Sequence, residues 1–164
     1  MAYRAFFSFH YAVDGWRAAK VRNMGVVEGS QPVSDNDWES VKRGGDAAIQ
    51  RWIDAQMKGR SCTILLIGPQ TANRKWINYE IIKSWNDRKG LVGIYIHNLT
   101  NQNNEVASKG ANPFDCITLN DGRKLSALVR AYNPPYLSSA NVYADIKDNM
   151  EALVEEAVAN RRRM

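Results

Sequence analysis

Two short, unbroken apolar runs limit this chain most. Ser61-Cys62-Thr63-Ile64-Leu65-Leu66-Ile67-Gly68 and Leu91-Val92-Gly93-Ile94-Tyr95-Ile96-His97 are too short for typical buried helices, and neither shows the polar alternation of a half-exposed strand. Such runs suit strands covered on both faces, which is the environment of a parallel sheet. Between them, Asn73 to Arg88 places Ile77, Ile81 and Trp85 on one helical face and stops before Gly90. Strand, helix and strand of these lengths make a parallel crossover unit.

The rest of the chain extends the alternation. Arg4 to Tyr11 is short, aromatic and apolar and reads as a buried first strand. Asp14 is placed to cap a short helix from Gly15 to Asn23, ended near Gly25, followed by a brief strand at Val26-Val27 and a loop from Glu28 to Val33. Ser34 and Asp37 have capping-box spacing. Trp38, Val41, Ala48, Ile49, Trp52, Ile53 and Met57 then recur at helical spacing, interrupted by Gly44-Gly45, where a break or kink is expected. Asn98 to Asn112 is polar and reads as a loop, Phe114 to Leu119 as a further short strand, Asp121-Gly122 as a turn and Asn133-Pro134-Pro135 as an extended piece. From Asn141 to Arg162, Val142, Ile146, Met150, Leu153, Val154, Ala157 and Val158 form one stripe of a docked amphipathic helix. The expected fold is α/β, a three-layer αβα arrangement around a doubly wound, mainly parallel sheet. With 164 residues and no linker or repeat, residues 1–164 read as a single domain.

Charge and motifs then exclude several functions. The net charge is +5 and the pI about 9.3, but the basic residues are spread along the chain. The one run, Arg161-Arg162-Arg163, closes a helix whose dipole it complements, so nucleic-acid binding is not expected. Two cysteines, Cys62 and Cys116, and two histidines, His10 and His97, lack metal-ligand spacing, so no metal is expected. No signal peptide is recognised in Met1 to Tyr11, and no apolar stretch approaches the roughly 20 residues of a membrane span. A cytoplasmic protein without a membrane partner is expected. A glycine-rich dinucleotide fingerprint, a phosphate-binding P-loop and a nucleophile elbow are all missing.

In doubly wound folds ligands bind at the carboxyl ends of the strands, which puts Phe9-His10-Tyr11 and Gly68-Pro69-Gln70 at the rim. In the helix that follows Gly68, Trp76 and Glu80 are four apart and share a face. A carboxylate held beside an indole in a cleft is open to a raised pKa and a fixed orientation. The segment Gly68 to Glu80, with Lys75-Trp76-Ile77-Asn78-Tyr79-Glu80, resembles the TIR-domain motif of strand, loop, tryptophan and glutamate. The opening Phe6-Phe7-Ser8-Phe9-His10-Tyr11 and the later Asn112-Pro113-Phe114-Asp115, in that order, resemble the TIR-like branch of the Thoeris antiphage system.

That resemblance covers about Arg4 to Asp115 and implies a flavodoxin-like TIR fold and NAD⁺ glycohydrolase or cyclase chemistry. It implies Glu80 as the catalytic glutamate and Ser8, Phe9, His10, Tyr11 and Trp76 as substrate-lining residues, with NAD⁺ as substrate and no resident cofactor. It further implies a homo-oligomer for activity and a separate downstream effector that reads a cyclic ADP-ribose-type product. Three departures stand out: Ile77 occupies a position where many relatives carry cysteine, Thr71 precedes it without paired serines, and no long acidic-basic assembly loop is recognisable between Val26 and Asp37. They leave the glutamate in place and bear on assembly and on the identity of the product.

Plainer readings exist for each residue. Glu80 is also consistent with a solvated helix glutamate or a partner of Arg74 or Lys83, and His10 with a hydrogen-bonded strand-end histidine. Trp76, Trp52 and Trp85 fit core positions. Ser8 fits a group that satisfies backbone at a strand end, and Asp35 and Asp37 fit caps. Asn112-Pro113-Phe114-Asp115 is a good turn in its own right. At the level of the whole chain, a non-catalytic TIR module acting by homotypic assembly and a nucleoside-processing transferase remain alternatives to the enzyme.

Overall fold

The computed structural model describes residues 3–29 and 35–164, with backbone only at 35–38. Strands are β1 (Arg4–Ser8), β2 (Glu28–Gly29), β3 (Cys62–Ile67), β4 (Gly90–Tyr95) and β5 (Ala131–Tyr132). Helices are α1 (Tyr11–Arg22), α2 (Asp35–Arg43), α3 (Gly45–Met57), α4 (Lys75–Asn86) and α5 (Ser139–Arg163). The sheet order is β2-β1-β3-β4-β5, and every pairing is parallel. β3 aligns Cys62 with Ala5 on one side and with Gly90 on the other. Helices on both faces complete the flavodoxin-like α/β architecture expected for a TIR fold.

The apolar runs are explained by this placement. All six residues of β3 and all six of β4 are buried. Ile64 and Leu66 face one layer, where Ala18 and Val21 of α1 meet the stripe Val142, Ile146, Met150, Leu153 and Val154 of α5. Leu65 and Ile67 face the other, with Ile77 and Ile81 of α4 and with Phe114 and Leu125. Phe6 of β1 packs separately against Ile49, Ile53 and Met57 of α3. Each such aliphatic side chain, fully buried, contributes about 1.5–3 kcal/mol, so the alternation along β3 fixes the register of both helical layers.

Several expected elements shift. β1 ends at Ser8, and Tyr11 already belongs to α1. Asp14 does not cap a helix: His10 is the N-cap residue, without a side-chain cap bond, and Asp14 is buried inside the first turn of α1. The second strand is Glu28–Gly29 rather than Val26-Val27, because Arg4 and Ala5 pair with those residues at the sheet edge. Phe114 to Leu119 forms no strand; Pro113–Cys116 is a 3₁₀ turn capped by Asn112, followed by an isolated bridge between Thr118 and Lys124. β5 was not anticipated. The Ser34–Asp37 capping box rests on Ser34 and on the Asp37 side chain, which lie outside what the structure describes. Gly44-Gly45 does separate two helices, with Gly45 at φ 81°. α5 starts two residues early, where the Ser138 hydroxyl accepts from the Asn141 amide. Arg161 is not simply a dipole charge: it is buried, its guanidinium lies 3.9 Å from the Trp85 ring centroid, and it donates to the Trp85 carbonyl. No helix among the described residues is long and apolar enough to cross a membrane.

Candidate active site

Because β2 lies on one side of β1 and β3 on the other, the chain reverses its winding direction between β1 and β3. The loops that leave these strands diverge there and open the crevice in which doubly wound folds bind ligands. A cleft of about 1440 Å³ occupies that point. It exceeds the roughly 300–1,000 Å³ of most small-molecule sites and has room for an extended ligand. α1 and α4 both begin at the cleft, and their N-cap residues, His10 and Arg74, make no side-chain cap bond. Both helices thus turn the positive ends of their dipoles to the cleft, which suits a negative ligand.

Glu80 comes from the second turn of α4. It lines the cleft yet is only 8% exposed. Burial pushes its carboxyl up to about 8, and the Ser8 hydroxyl offsets part of that rise. Ser8 itself is buried behind the cleft wall, and its Oγ has no hydrogen-bond partner of full geometry. The turn that carries Glu80 is tied to the sheet. The Ser84 hydroxyl donates to the Glu80 carbonyl at 2.6 Å and stands 2.7 Å from the Thr63 hydroxyl of β3. Such bonds hold the helix backbone, and with it the carboxylate, at a set height above the strands.

The other expected residues gather around this carboxylate. Phe9, His10, Tyr11 and Trp76 all line the cleft with Glu80, whereas Ser8 does not. Trp76 is half-buried; it meets Tyr79 edge-on at 5.7 Å and packs on the Phe6 and Ile53 cluster, so it joins core and cleft. Phe9 and Tyr11 lie 6.1 Å apart, and the Arg22 guanidinium sits over Phe9 at 5.3 Å. Burial and the nearby Arg74 hold His10 below the usual histidine range, so its ring is neutral near pH 7. Besides Glu80, the other carboxylate lining the cleft among the described residues is Glu39, which is exposed and paired with Lys42 at 2.8 Å. Trp52 and Trp85, expected in the core, are partly buried at its margins.

Among the cleft residues that sequence reasoning missed are Trp16, Arg22, Arg74 and Gln102, and Trp52, expected in the core, lines the cleft as well. Trp16 is 54% exposed on α1, away from the stripe of Ala18 and Val21. A large aromatic off the apolar face of its helix was the available signal. Gln102 arrives from the long polar loop after β4, and nothing in the sequence places that loop beside β1. Among the described residues no three His, Cys, Asp or Glu side chains converge as a metal site.

With this geometry, the chain can be set beside known proteins. Residues 6–101 match the family model described as "Thoeris protein ThsB, TIR-like domain". That stretch runs from β1 to the loop after β4 and includes every cleft residue named above except Gln102. A relative from Bacillus cereus (strain MSX-D12), named "Putative cyclic ADP-D-ribose synthase ThsB1", is 38% identical over 133 residues, covering 76% of this chain and 69% of its own length. The chain therefore belongs to the Thoeris ThsB family of TIR-like domains.

Proposed function

We propose that this protein cleaves the nicotinamide–ribose bond of NAD⁺ and closes the ADP-ribose product into a cyclic signalling molecule in antiphage defence. The observation that carries the reading is the carboxylate of Glu80, the one buried carboxylate lining the switch-point cleft among the described residues. The name of the Bacillus cereus relative supports the product class.

One carboxylate is chemically sufficient. When the bond from the ribose anomeric carbon to the pyridinium nitrogen breaks, the electron pair stays on nitrogen and nicotinamide leaves neutral. No acid has to protonate the leaving group, which removes one of the two carboxylates that glycoside hydrolysis ordinarily needs. The ribose is left as an oxocarbenium-like cation. Glu80, held in a water-poor wall, stabilises that charge and accepts hydrogen bonds from the ribose hydroxyls. A nucleophilic group of the same ADP-ribose then forms the new bond to the anomeric carbon, and its proton, where it carries one, passes to Glu80. Water in that role yields linear ADP-ribose. The positive pyridinium beside Glu80 favours the ionised carboxylate, so substrate binding itself brings the group to its working charge.

The remaining residues divide the substrate between them. The first turns of α1 and α4, with Arg74, suit the pyrophosphate. Phe9, Tyr11 and the exposed Trp16 offer aromatic faces to the two bases. A neutral His10 adds a hydrogen bond without competing with Arg74 for phosphate. NAD⁺ is the substrate in this reading, no resident cofactor is required, and the product reaches a separate effector. Activity is expected to need self-association.

The test is mass spectrometry of NAD⁺ incubated with concentrated protein and, in parallel, in lysate of phage-infected cells, with Glu80→Gln beside the native chain. Release of nicotinamide with a cyclic ADP-ribose isomer, lost in the variant, is expected. Unchanged NAD⁺ in both settings refutes the enzyme and leaves a TIR module that works by assembly alone.

A further inference from the structure

The carboxylate that most lacks an explanation is Asp14. It is fully buried, at 0% exposure, and lies against Gly68 at the end of β3. A Cβ on Gly68 would overlap its carboxyl group. Neither Oδ1 nor Oδ2 has a hydrogen-bond partner of full geometry, and the nearest cation, Arg17 Nη1, is 3.6 Å from Oδ1. Leaving a buried carboxylate so poorly satisfied costs stability, and folds carry such costs mainly where a site needs them.

Arg17 is almost as buried, and its other donors reach a different loop. Nε donates to the Leu99 carbonyl at 2.7 Å and Nη2 to the Glu105 carbonyl at 2.9 Å. Those bonds bracket the segment that carries Gln102 into the cleft. On the other side, the Thr71 hydroxyl accepts from the Gly68 amide at 2.8 Å, which leaves its own proton for Asp14. Gly110, at the end of the post-β4 loop, packs so closely on Gly68 and Pro69 that a Cβ there would overlap the Gly68 carbonyl. The loop after β3 and the loop after β4 thus meet each other and one ion pair in α1.

We propose that the buried Asp14–Arg17 pair is the positioning unit of the cleft, holding the Gly68–Arg74 and Leu99–Gly110 loops in the shape that binds the dinucleotide. The inference rests on the dinucleotide reading of the cleft and adds to it a residue pair that touches no substrate. Its logic is electrostatic. Arg17 is fixed by two carbonyls and by Asp14, and only an ionised Asp14 balances a buried guanidinium. The charged and polar groups facing Asp14 are Arg17 on its own helix and Thr71 and Arg74 from the loop after β3. All three favour the ionised form, but burial outweighs them and pushes the carboxyl up to about 6. Mild acid therefore neutralises Asp14 and releases both loops together.

Two measurements test this, both in the Glu80→Gln background so that Glu80 does not titrate. Amide hydrogen exchange, corrected for its intrinsic pH dependence, is followed in both loops. On going from about pH 7.5 to about pH 5, and again on Asp14→Asn at about pH 7.5, protection is expected to fall in residues 68–74 and 99–110 together while α5 is unchanged. Protection that is retained, or lost in one loop alone, overturns the proposal. Calorimetric binding of ADP-ribose supplies the second readout. Affinity is expected to drop at least fivefold over that acid step and about as much for Asp14→Asn at about pH 7.5; His10 in the cleft and His97 near Arg17 also gain protons over the step, so the variant keeps a residual pH dependence that is smaller than that of the parent. Equal affinity with equal pH dependence, with and without Asp14, overturns the link to binding. If Asp14→Asn does not fold, Arg17→Lys, which keeps the charge and loses the bonds to the Leu99 and Glu105 carbonyls, takes its place at about pH 7.5 with the same expected outcomes. Should ADP-ribose bind neither protein while the two loops loosen together, the positioning unit stands and the dinucleotide reading falls.

Discussion

Glu80→Gln should stabilise the protein, and by an amount that depends on pH. Burial raises the carboxyl from an ordinary 4.5 to about 8 in the folded chain. Between those values the folded state holds a proton that the unfolded state has released. As far as Glu80 is concerned, the native chain is at full stability below about pH 4.5 and loses stability as pH rises, until the loss levels off above about pH 8. At about 1.4 kcal/mol per pH unit, the whole penalty is on the order of 4–5 kcal/mol, most of it already present at neutral pH. Glutamine keeps the shape and carries no charge, so its stability should not follow that slope. For a chain of this length the difference above pH 8 corresponds to a melting point raised by about 10 °C or more. The assay is urea unfolding followed by tryptophan fluorescence at several pH values for both proteins. Asp14 titrates equally in both and cancels in the difference. Parallel stability curves for the two proteins, with no divergence between about pH 5 and pH 8, would refute the claim that burial has raised Glu80. The sign also ties stability to chemistry, because a group that destabilises the resting fold is what a substrate cation can relieve.

Further expectations follow from single contacts. Trp16→Ala should raise KM for NAD⁺ by about 5- to 150-fold with little change in kcat, as loss of base stacking worth ~1–3 kcal/mol predicts, and Trp16→Phe should recover much of it in steady-state kinetics. Gly68→Ala forces a methyl onto the Asp14 carboxylate, and thermal melts should show a loss of about 1–3 kcal/mol together with reduced nicotinamide release. Arg161→Ala removes the guanidinium from the Trp85 ring and its bond to the Trp85 carbonyl, costing about 1–3 kcal/mol in denaturation. Because Arg161 is remote from the cleft, the folded fraction of that variant should keep its activity; a lowered kcat at full folding would contradict the assignment.

The sheet was legible because its central strands are buried on both sides. Ile64 to Ile67 and Val92 to Ile94 must be apolar at every position, and that demand shows in any single sequence. α4 and α5 were legible for the same reason, since each lays a 3.6-residue stripe on that sheet. The edge strands were not. β2 and β5 are two residues each, and what makes them strands is the backbone of Arg4, Ala5, Gly93 and Ile94 rather than any pattern of their own. Phe114 misled the reading in the opposite direction: it is apolar because it fills the core under Gly93, from a 3₁₀ turn rather than a strand.

The site divides along the same line. Glu80 and the Phe9-His10-Tyr11 corner were reachable because the ends of central strands are where such folds bind ligands, so a legible sheet makes a legible rim. What surrounds them depends on contacts distant in sequence. Asp14 looked like a helix cap because aspartate ahead of a helical segment is a preferred N-cap residue. Its true surroundings are Gly68, some fifty residues on, and Arg17, whose other bonds reach Leu99 and Glu105. A cap is a local solution to unpaired amides and leaves its carboxylate in water. Asp14 instead turns its carboxylate inward against Gly68 and leaves the capping position to His10, which makes no side-chain cap bond. α1 therefore meets the cleft with an N-cap residue that makes no side-chain bond, and it carries in Asp14 and Arg17 an ion pair whose other bonds reach the loop after β4.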